Sequence, residues 1–469
     1  MIDSSRQRRS GAIHLLVAVS LGGATLAAAA QAWCSPIARS PEPAIATSPL
    51  EAGLSQGGKI PGSVAPPQPP ATVLVPVGMP PRAQIQAALT SHPRVLAAQA
   101  RERSLQAGGD SLRAGQHETV LRTTQARRRS DGPAGAQHEW LVGVERTLRS
   151  ATKREADGRL ADQDAVLGGQ LVEDARHETA RELLRAWFAW QRAAGEARLA
   201  EEQLALVTGL TRSVEQRVRA GDAAQIEAGQ ACAELERARA VSLLARARES
   251  ASGLTLRRRF PEIAVDSADS SRLVPLEIAE PLAADRERLR DLYLERSHEI
   301  ALARGEARRA ELAAERARAE RRTDPSIGAF AAFDRGGSER VLGIAISLPL
   351  AGPAREAGLR GALAGHQAAS ARASDLERRV QADFEVGWSD ATARASAAWA
   401  LGQAAVAQVE IATRLGRAYT LGEAALSDWL LARRNASEAQ QQALGARLEA
   451  IEAAARLRLD LHELAGFDD

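Results

Sequence analysis

Histidine and cysteine are the side chains that most readily bind metals, and the chain has eight histidines and two cysteines. No H-x-x-H or H-E-x-x-H spacing occurs, and no histidine lies near a cysteine. The histidines that follow His14 are scattered over both halves of the chain, at His92, His117, His138, His177, His298, His366 and His462. The spacing therefore predicts no dedicated metal site and no metal ligands.

Sequence patterns of catalysis are also missing. The chain has no nucleophile elbow, no P-loop and no paired catalytic histidine and cysteine. Gly336 and Gly337 belong to a predicted hairpin turn rather than to a phosphate-binding loop. We therefore predict that the chain is not an enzyme, with no catalytic residues and no cofactor.

The charge pattern argues against a nucleic-acid-binding protein. The 61 basic and 59 acidic residues give a formal net charge of +2, and Lys59 and Lys153 are the only lysines. The acidic residues are interleaved with the arginines along the predicted helices, so no general phosphate-binding surface is expected.

The N-terminal residues predict export from the cytoplasm. Arg6, Arg8 and Arg9 precede an apolar stretch that ends at an A-x-A cleavage site, Ala30–Ala32, so residues 1–32 read as a signal peptide. Residues 33–80 form a proline-rich leader, because 12 of the 20 prolines fall between Pro36 and Pro81. A lipoprotein needs a small residue directly before its acylated cysteine. Trp33 occupies that position before Cys34, so lipidation of Cys34 is not expected. A disulfide between Cys34 and Cys232 stays open, and Cys232 is expected to pack within a helix.

Proline placement also predicts long helices. No proline occurs from Ala134 to Phe260 or after Pro353, and proline is the residue that most strongly breaks a helix. One helix is predicted over Arg149–Arg219, about 105 Å long at 1.5 Å per residue. Leu183, Trp187 and Trp190 lie at helical spacing on it and are expected to be packing residues.

A tandem duplication organises the chain. Trp187 and Trp388 lie 201 residues apart, as do Gly221 and Gly422. Several flanking segments match at nearly the same offset and in the same order. We therefore divide the chain into a first repeat, 81–260, a linker, 261–283, and a second repeat, 284–469. This unit is far longer than a solenoid repeat.

Each repeat is predicted to contain one helix, a strand pair and a long helical hairpin, which gives a mainly α fold with a small β part. The first helix is predicted over Pro81–Ala114 and, in the second copy, over Ala284–Arg321. Alternating residues predict strands at Ile327–Asp334 and Val341–Leu350. In the first copy the strand near Thr119–Gln125 is polar, and the region Arg122–Arg129 is arginine-rich. Two alternatives stay open there, a short hairpin or arginines that face a water-filled lumen.

The number of strands bears on oligomeric state. Bacterial membrane barrels begin at eight strands, whereas this chain has four predicted strands. An open sheet edge in lipid leaves backbone groups unpaired, at a cost of several kcal/mol each. If these strands enter a membrane, several protomers must therefore pool them.

Three segments carry a resemblance to the TolC family of outer-membrane efflux proteins, over nearly all of the chain after Pro81. They are Arg217–Glu227 (RVRAGDAAQIE), Ile344–Gly352 (IAISLPLAG) and Tyr419–Arg434 (YTLGEAALSDWLLARR). The resemblance implies a homotrimer whose strands form a 12-stranded barrel in outer-membrane lipid. It also implies an α-helical barrel that crosses the periplasm, with hairpin tips that dock a periplasmic adaptor and, through it, an inner-membrane pump.

Within that family, the segment Tyr419–Arg434 is most similar to the CzcC-like branch, the partners of heavy-metal exporters. This resemblance implies an RND-type pump and a passive exit duct for heavy-metal cations, in which the pump selects the cargo. Drug efflux and type I protein secretion are alternatives with the same fold. A periplasmic adaptor or a coiled-coil scaffold is the alternative from another class, although an adaptor has one long hairpin rather than two.

The best candidate site is the pair of hairpin turns. Gly221 and Gly422 are expected to adopt positive φ between antiparallel helices. One interpretation is a purely structural turn between two helices at each position. The resemblance implies adaptor docking at the tips, by Arg217, Gly221 and Asp222 in the first repeat and by Leu421, Gly422 and Glu423 in the second.

Overall fold

The computed structural model describes residues 79–115, 117–129, 135–264, 286–464 and 467. The predicted signal peptide, nearly all of the predicted leader and most of the predicted linker lie outside these ranges. Cys34 lies outside them too, and with it the Cys34–Cys232 pairing.

Within the described residues the same order of elements occurs twice, with two short helices, two strands and two long helices in each half. The first half contains α1 (Arg82–Ser91), α2 (Pro93–Ala114), β1 (Thr119–Arg129), β2 (Ala136–Thr147), α3 (Ala151–Ala220) and α4 (Gln225–Arg259). The second contains α5 (Arg286–Arg296), α6 (His298–Ala319), β3 (Ser326–Asp334), β4 (Glu339–Ser347), α7 (Pro353–Thr420) and α8 (Leu426–Asp460).

The first helix of each repeat is broken, and the prediction of one continuous helix was wrong in both copies. His92 has ψ 133°, because the following Pro93 disfavours helical backbone in the residue before it. Ser297 has ψ 114°, and its hydroxyl accepts a hydrogen bond from the Ile300 amide at 3.3 Å. Ser297 therefore acts as an N-cap that starts a new helix.

The long helices agree with the proline-free stretches. The helix α3 has 70 residues and α7 has 68, about 105 Å and 102 Å at 1.5 Å per residue. Pro353 occupies the first turn of α7, where its missing N–H costs no hydrogen bond. None of the described helices is long and apolar enough to cross a membrane.

Small side chains let the long helices approach closely. Ala197, Ala200 and Ala245 form one buried contact between α3 and α4, and Ala412, Ala432 and Ala436 form another between α7 and α8. Alanine side chains leave little space between neighbouring helices, so a chain with only 3% aromatic residues can still pack long hairpins.

The largest hydrophobic core lies where the short helices meet the middle of the long ones. Leu183, Trp187 and Trp190 are 0%, 7% and 4% exposed and pack in this core, which confirms them as packing residues. Residues from both repeats contribute, including Phe260, Phe384 and Leu461. The core therefore joins the two repeats at mid-length.

The four strands form one antiparallel sheet in the order β1-β2-β3-β4. The first hairpin is not short, because all eleven residues of β1 pair with β2, from Thr119 opposite Arg146 to Arg129 opposite Ala136. The two hairpins are joined through β2 and β3, which pair from Trp140 opposite Phe333 to Thr147 opposite Ser326. In the described residues the outer edges of β1 and β4 pair with no further strand.

The register divides the sheet into an apolar and a polar face. We call the apolar face the side that carries Leu121, Trp140, Val142, Val144, Ile327, Ala329, Ala331, Phe333, Leu342, Ile344 and Ile346. It is open to the surroundings, since Leu342, Ile344 and Ile346 are 85%, 76% and 73% exposed. At 3.4 Å per residue, the band from Ile327 to Phe333 is about 20 Å high.

The opposite, polar face explains part of the arginine-rich strand. Arg122 lies 3.5 Å from Glu145, and Arg128 lies 2.8 Å from Glu139, both across β1 and β2. Most other residues of this side are small or polar, and its larger apolar residues are Val120, Leu141, Phe330 and Val341. Arg127 and Arg129 lie on the apolar face at the far end of the hairpin. Of the two alternatives for β1, the short hairpin is wrong.

Candidate functional site

The two hairpin turns have the same backbone geometry. Gly221 has φ 82° and Gly422 has φ 80°, both in the left-handed region that favours glycine. The amide of Asp222 donates to the Arg217 carbonyl at 2.8 Å, and the amide of Glu423 donates to the Ala418 carbonyl at 2.8 Å. Each turn is thus a Schellman motif, which satisfies the last carbonyls of the helix before it.

Side-chain contacts hold the two turns beside each other. The Arg217 guanidinium lies 5.1 Å from the centre of the Tyr419 ring, a cation–π contact from the first repeat to the second. The Tyr419 hydroxyl donates to Glu227 at 3.0 Å. Burial and this acceptor raise the pKa of the Tyr419 hydroxyl above its usual value. The docking residues predicted at the two tips therefore lie next to each other, at the same end of the helical hairpins.

A small hydrophobic cluster lies directly behind the tips. This tip cluster consists of Val214, Ala231, Tyr419, Leu426 and Leu430, with Trp429 packed against it. The rings of Tyr419 and Trp429 are 5.3 Å apart. The tip cluster contains residues from α3, α4, α7 and α8, so the ends of the two hairpins pack against each other.

The tip surface itself combines apolar and charged groups. Leu421 is 73% exposed, and Ile226 is 69% exposed on the neighbouring hairpin. Asp222 and Glu423 are exposed beside them. Arg217 is half-buried, and its guanidinium also donates to the Asp222 carbonyl at 3.3 Å.

Tyr419, Trp429, Glu227 and Ile226 were missed as site residues. The signal that marks Tyr419 and Trp429 is the scarcity of aromatic residues, since only two tyrosines and seven tryptophans occur. Ile226 carries no local signal, because exposure at a helix start depends on how the hairpins pack.

The two arginines at the end of the Tyr419–Arg434 segment connect the repeats. Arg433 donates to Gln203 on α3 at 3.0 Å, and Arg434 donates to Glu234 on α4 at 2.8 Å. Burial lowers the pKa of the Arg433 guanidinium. A cavity of about 500 Å³ lies beside them, lined by Leu206, Leu210 and Trp429 among others.

A buried charge network lies at the other end of α3, next to the sheet. Lys153 is 1% exposed, and its amine lies 2.8 Å from Asp324 and 3.1 Å from Glu320. Arg149 donates to Glu320 at 2.7 Å and to Asp157 at 2.8 Å. These contacts tie the start of α3 to the end of α6 and so connect the two repeats below the sheet.

The three carboxylates of this network titrate below their usual range. Burial alone raises the pKa of a carboxyl group, but the hydrogen bonds from Arg149 and Lys153 outweigh it, so the pKa of Glu320 is lowered. The pKa of Asp157 is lowered by Arg149 and Arg316 in the same way. The pKa of Asp324 is lowered by Lys153, by the Ser150 amide and by Arg149.

Other expectations about single residues need correction. Cys232 is exposed rather than packed, and its sulfur lies 3.9 Å from Glu215. The histidines are not all scattered in space, because one nitrogen from each of His177, His298 and His462 lies within 4.8 Å of the others. No spacing rule detects this set, since its members come from α3, α6 and the turn after α8.

No protein-family model and no curated protein sequence matches the chain. Solved structures do match. The outer-membrane channel OprN superimposes with a TM-score of 0.69 at 18% identity, over 87% of this chain and 99% of OprN. The outer membrane protein VceC of Vibrio cholerae gives 0.64 at 18% identity, over 82% of this chain and 95% of VceC.

The open state of the MtrE outer membrane channel of Neisseria gonorrhoeae gives a TM-score of 0.63 at 18% identity. It covers 87% of this chain and 95% of MtrE. The chain therefore has the fold of the TolC-like outer-membrane channels.

Proposed function

We propose that the chain is the outer-membrane subunit of a tripartite exporter, a passive exit duct rather than an enzyme. One observation carries this proposal: in the described part of the chain, a four-stranded sheet with one exposed apolar face and two unpaired edges is attached to helices about 100 Å long. An apolar face of this kind is typical of strands that contact lipid. The helical hairpins then extend away from the membrane.

The unpaired edges favour an oligomer. In lipid every backbone N–H and C=O needs a partner, so β4 of one protomer has to pair with β1 of the next until the ring closes. Three protomers supply 12 strands, which lies within the range of bacterial barrels. We propose a homotrimer on this basis and on the resemblance to the TolC family.

Export to the outer membrane accords with the predicted signal peptide, 1–32, and we propose that the long hairpins occupy the periplasm. Fractionation of membranes and periplasm from the source bacterium tests this localisation. Recovery in the outer-membrane fraction supports the channel. Recovery only in the soluble periplasm would favour the adaptor or scaffold alternative.

We propose that the tips dock a periplasmic adaptor, which in turn contacts an RND-type pump. Exposed Leu421 and Ile226, flanked by Asp222 and Glu423, offer the apolar centre and charged rim that protein interfaces favour. A photo-crosslinking amino acid at Leu421 should capture a periplasmic adaptor. The matched control is Leu96, which is 49% exposed near the start of α2, away from the tips. Equal capture from both positions would contradict docking at the tips.

We propose heavy-metal cations as the cargo, because the Tyr419–Arg434 segment is most similar to the CzcC-like branch. A deletion strain is expected to lose tolerance to transition-metal salts and to regain it when the gene is restored. Unchanged metal tolerance with increased drug sensitivity would favour drug efflux. Loss of a secreted protein from the medium would favour type I secretion.

A further inference from the structure

We propose that His177, His298 and His462 form a site for a first-row transition cation, with Zn²⁺ as the probe. This three-histidine cluster lies where both repeats and the C-terminal turn meet. The site is independent of the proposed channel function, because it lies within one chain and binding to it can be measured without transport.

The geometry of the cluster suits imidazole ligands. The ring centre of His177 lies 5.4 Å from the ring centres of both His298 and His462. The ring centres of His298 and His462 are 4.7 Å apart. The possible ligand nitrogens lie within 4.8 Å of one another. Three nitrogens bound to a tetrahedral Zn²⁺ are about 3.3 Å apart, so rotation of the rings brings them to bonding distance.

A carboxylate orients the first ligand. The Nε2 atom of His177 lies 3.1 Å from Asp460. When Nε2 carries the proton and donates to Asp460, Nδ1 retains the lone pair that a metal requires. A carboxylate that accepts a hydrogen bond from the other ring nitrogen fixes the tautomer of a metal-binding histidine and raises its basicity.

Asp460 is itself held in place by neighbouring side chains. It accepts from Arg181 at 2.8 Å and from the Tyr293 hydroxyl at 3.3 Å. The positive charge of Arg181 is countered by Glu178 and Glu299, each 2.6 Å away. The cation of Arg181 is therefore already paired and does not oppose a second cation nearby.

The backbone around the cluster is also fixed. Arg296 donates to the Leu461 carbonyl at 2.7 Å, which ties the end of α5, two residues before His298, to the residue before His462. His462 has φ 57°, in the left-handed region that residues other than glycine seldom adopt. It occupies the same helix-ending position as Gly221 and Gly422, since its amide donates to Leu459 and that of Glu463 to Arg458. A histidine at a glycine position is consistent with a role for its side chain.

Two cavities give access to the cluster. All three histidines line a cavity of about 310 Å³, which α7 also lines, and a second of about 420 Å³, which α1 also lines. Each exceeds the roughly 30 Å³ that one water molecule occupies in the liquid. A metal bound by three imidazoles therefore has room for water as a further ligand, in an arrangement common for zinc. Imidazole also suits Cu²⁺ and Ni²⁺.

Metal binding to the full chain tests the site. The protein is purified in detergent without an oligohistidine tag, stripped with a chelator and titrated with Zn²⁺. Calorimetry and elemental analysis should both report one Zn²⁺ per chain. Co²⁺ should give the visible absorption of a tetrahedral or five-coordinate ion. Less than one tenth of an equivalent of Zn²⁺ in the wild-type chain would overturn the proposal.

Variants locate the bound ion. His177→Gln and His298→Gln should each weaken Zn²⁺ binding at least tenfold. His366→Gln, a histidine of α7 outside the cluster, serves as the matched control and should bind as the wild type does. Equal binding by the wild type and a variant that lacks all three cluster histidines would show binding elsewhere and overturn the site.

His462→Gly separates ligand loss from misfolding. Glycine adopts the left-handed backbone readily, so the metal-free variant should unfold at or above the wild-type temperature. Its affinity for Zn²⁺ should nevertheless fall at least tenfold, and Zn²⁺ should no longer raise its unfolding temperature. Wild-type affinity in this folded variant would contradict the proposal.

Discussion

Lys153 is the residue whose environment most clearly requires explanation. It is one of two lysines in the chain, and its amine is buried between Asp324 and Glu320. Replacing a buried ion pair by apolar residues is often neutral, whereas removing one partner leaves an uncompensated charge. Because Asp324 and Glu320 belong to the second repeat, Lys153 connects the two repeats next to the sheet.

We expect Lys153→Met to destabilise the protein by about 3 kcal/mol, because it leaves Asp324 buried without its closest cation. Urea unfolding in detergent, followed by circular dichroism, measures the change. Arg113→Ala is the control, since Arg113 pairs with the exposed Asp162 and a solvent-exposed ion pair contributes little to stability. Similar losses in both variants would contradict the role of burial.

Acid should weaken the same network. The pKa values of Asp157, Glu320 and Asp324 are lowered in the folded protein. Lowered carboxyl pKa values contribute stability above the unfolded values of 3.8 and 4.5, and this stability is lost as the pH falls through the folded values. The free energy of unfolding should therefore fall below about pH 4.

Asp324→Asn isolates one group in this titration. The variant should be less stable than the wild type at pH 7 and should lose less stability between pH 5 and pH 3. Chemical unfolding at a series of pH values measures both slopes. Parallel slopes for the two proteins would contradict the assignment of the acid transition to this network.

At the scale of elements, three helices end in the same way. The helices α3, α7 and α8 each end in a Schellman motif, with Gly221, Gly422 and His462 at the left-handed position. The two glycines allow each tip to reverse direction within a few residues. The tip cluster then packs the two reversals against each other.

Alanine at either tip should therefore destabilise the protein. A side chain in the left-handed region costs about 1 kcal/mol, so we expect Gly221→Ala and Gly422→Ala to lower the free energy of unfolding by that amount. Gly209→Ala is the matched control, because Gly209 lies within α3 with open space around it. It should stabilise the protein by about 0.5 kcal/mol, as measured by urea unfolding. The same sign for all three variants would contradict the turn geometry.

The sequence predicted the long elements well. The proline-free stretches and the 201-residue offset located α3, α7 and both tips to within a few residues. Short-range signals were harder to weigh. Ser297 is an N-cap and His92 precedes a proline, yet both lie within patterns that also fit an unbroken helix.

Features that depend on packing could not be predicted. The polar strand β1 looked weak because strand propensity describes a half-buried surface, whereas β1 lies at the edge of the sheet with two arginines paired to glutamates of β2. The three-histidine cluster was missed because its members are far apart in the chain. Their proximity is a consequence of the way α3, α6 and α8 pack.

At the scale of the whole molecule, the proposed outer-membrane location rests on the apolar face of the sheet. Ile344 and Ala345 are neighbours on β4 that point to opposite faces, and both are exposed. Substitutions at these two adjacent positions therefore place the same side chain on opposite faces of the sheet.

Ile344→Arg should reduce the protein in the outer membrane severalfold, because arginine on a lipid-facing strand costs about 2 to 4 kcal/mol near the midplane. Ala345→Arg faces the polar side and should reach the wild-type level. Immunoblots of outer-membrane fractions measure both variants. A larger loss for Ala345→Arg would reverse the assignment of the faces.

The most direct test of a closed oligomeric channel is disulfide scanning between the two unpaired edges in membranes. Cys34 and Cys232 are first replaced by serine, and single cysteines are then placed along β1 and β4 in pairs. We predict that some pairs cross-link neighbouring chains and that the ladder of products ends at three chains. Cross-linking that yields only monomers at every pair, in a protein recovered from the outer membrane, would contradict the account.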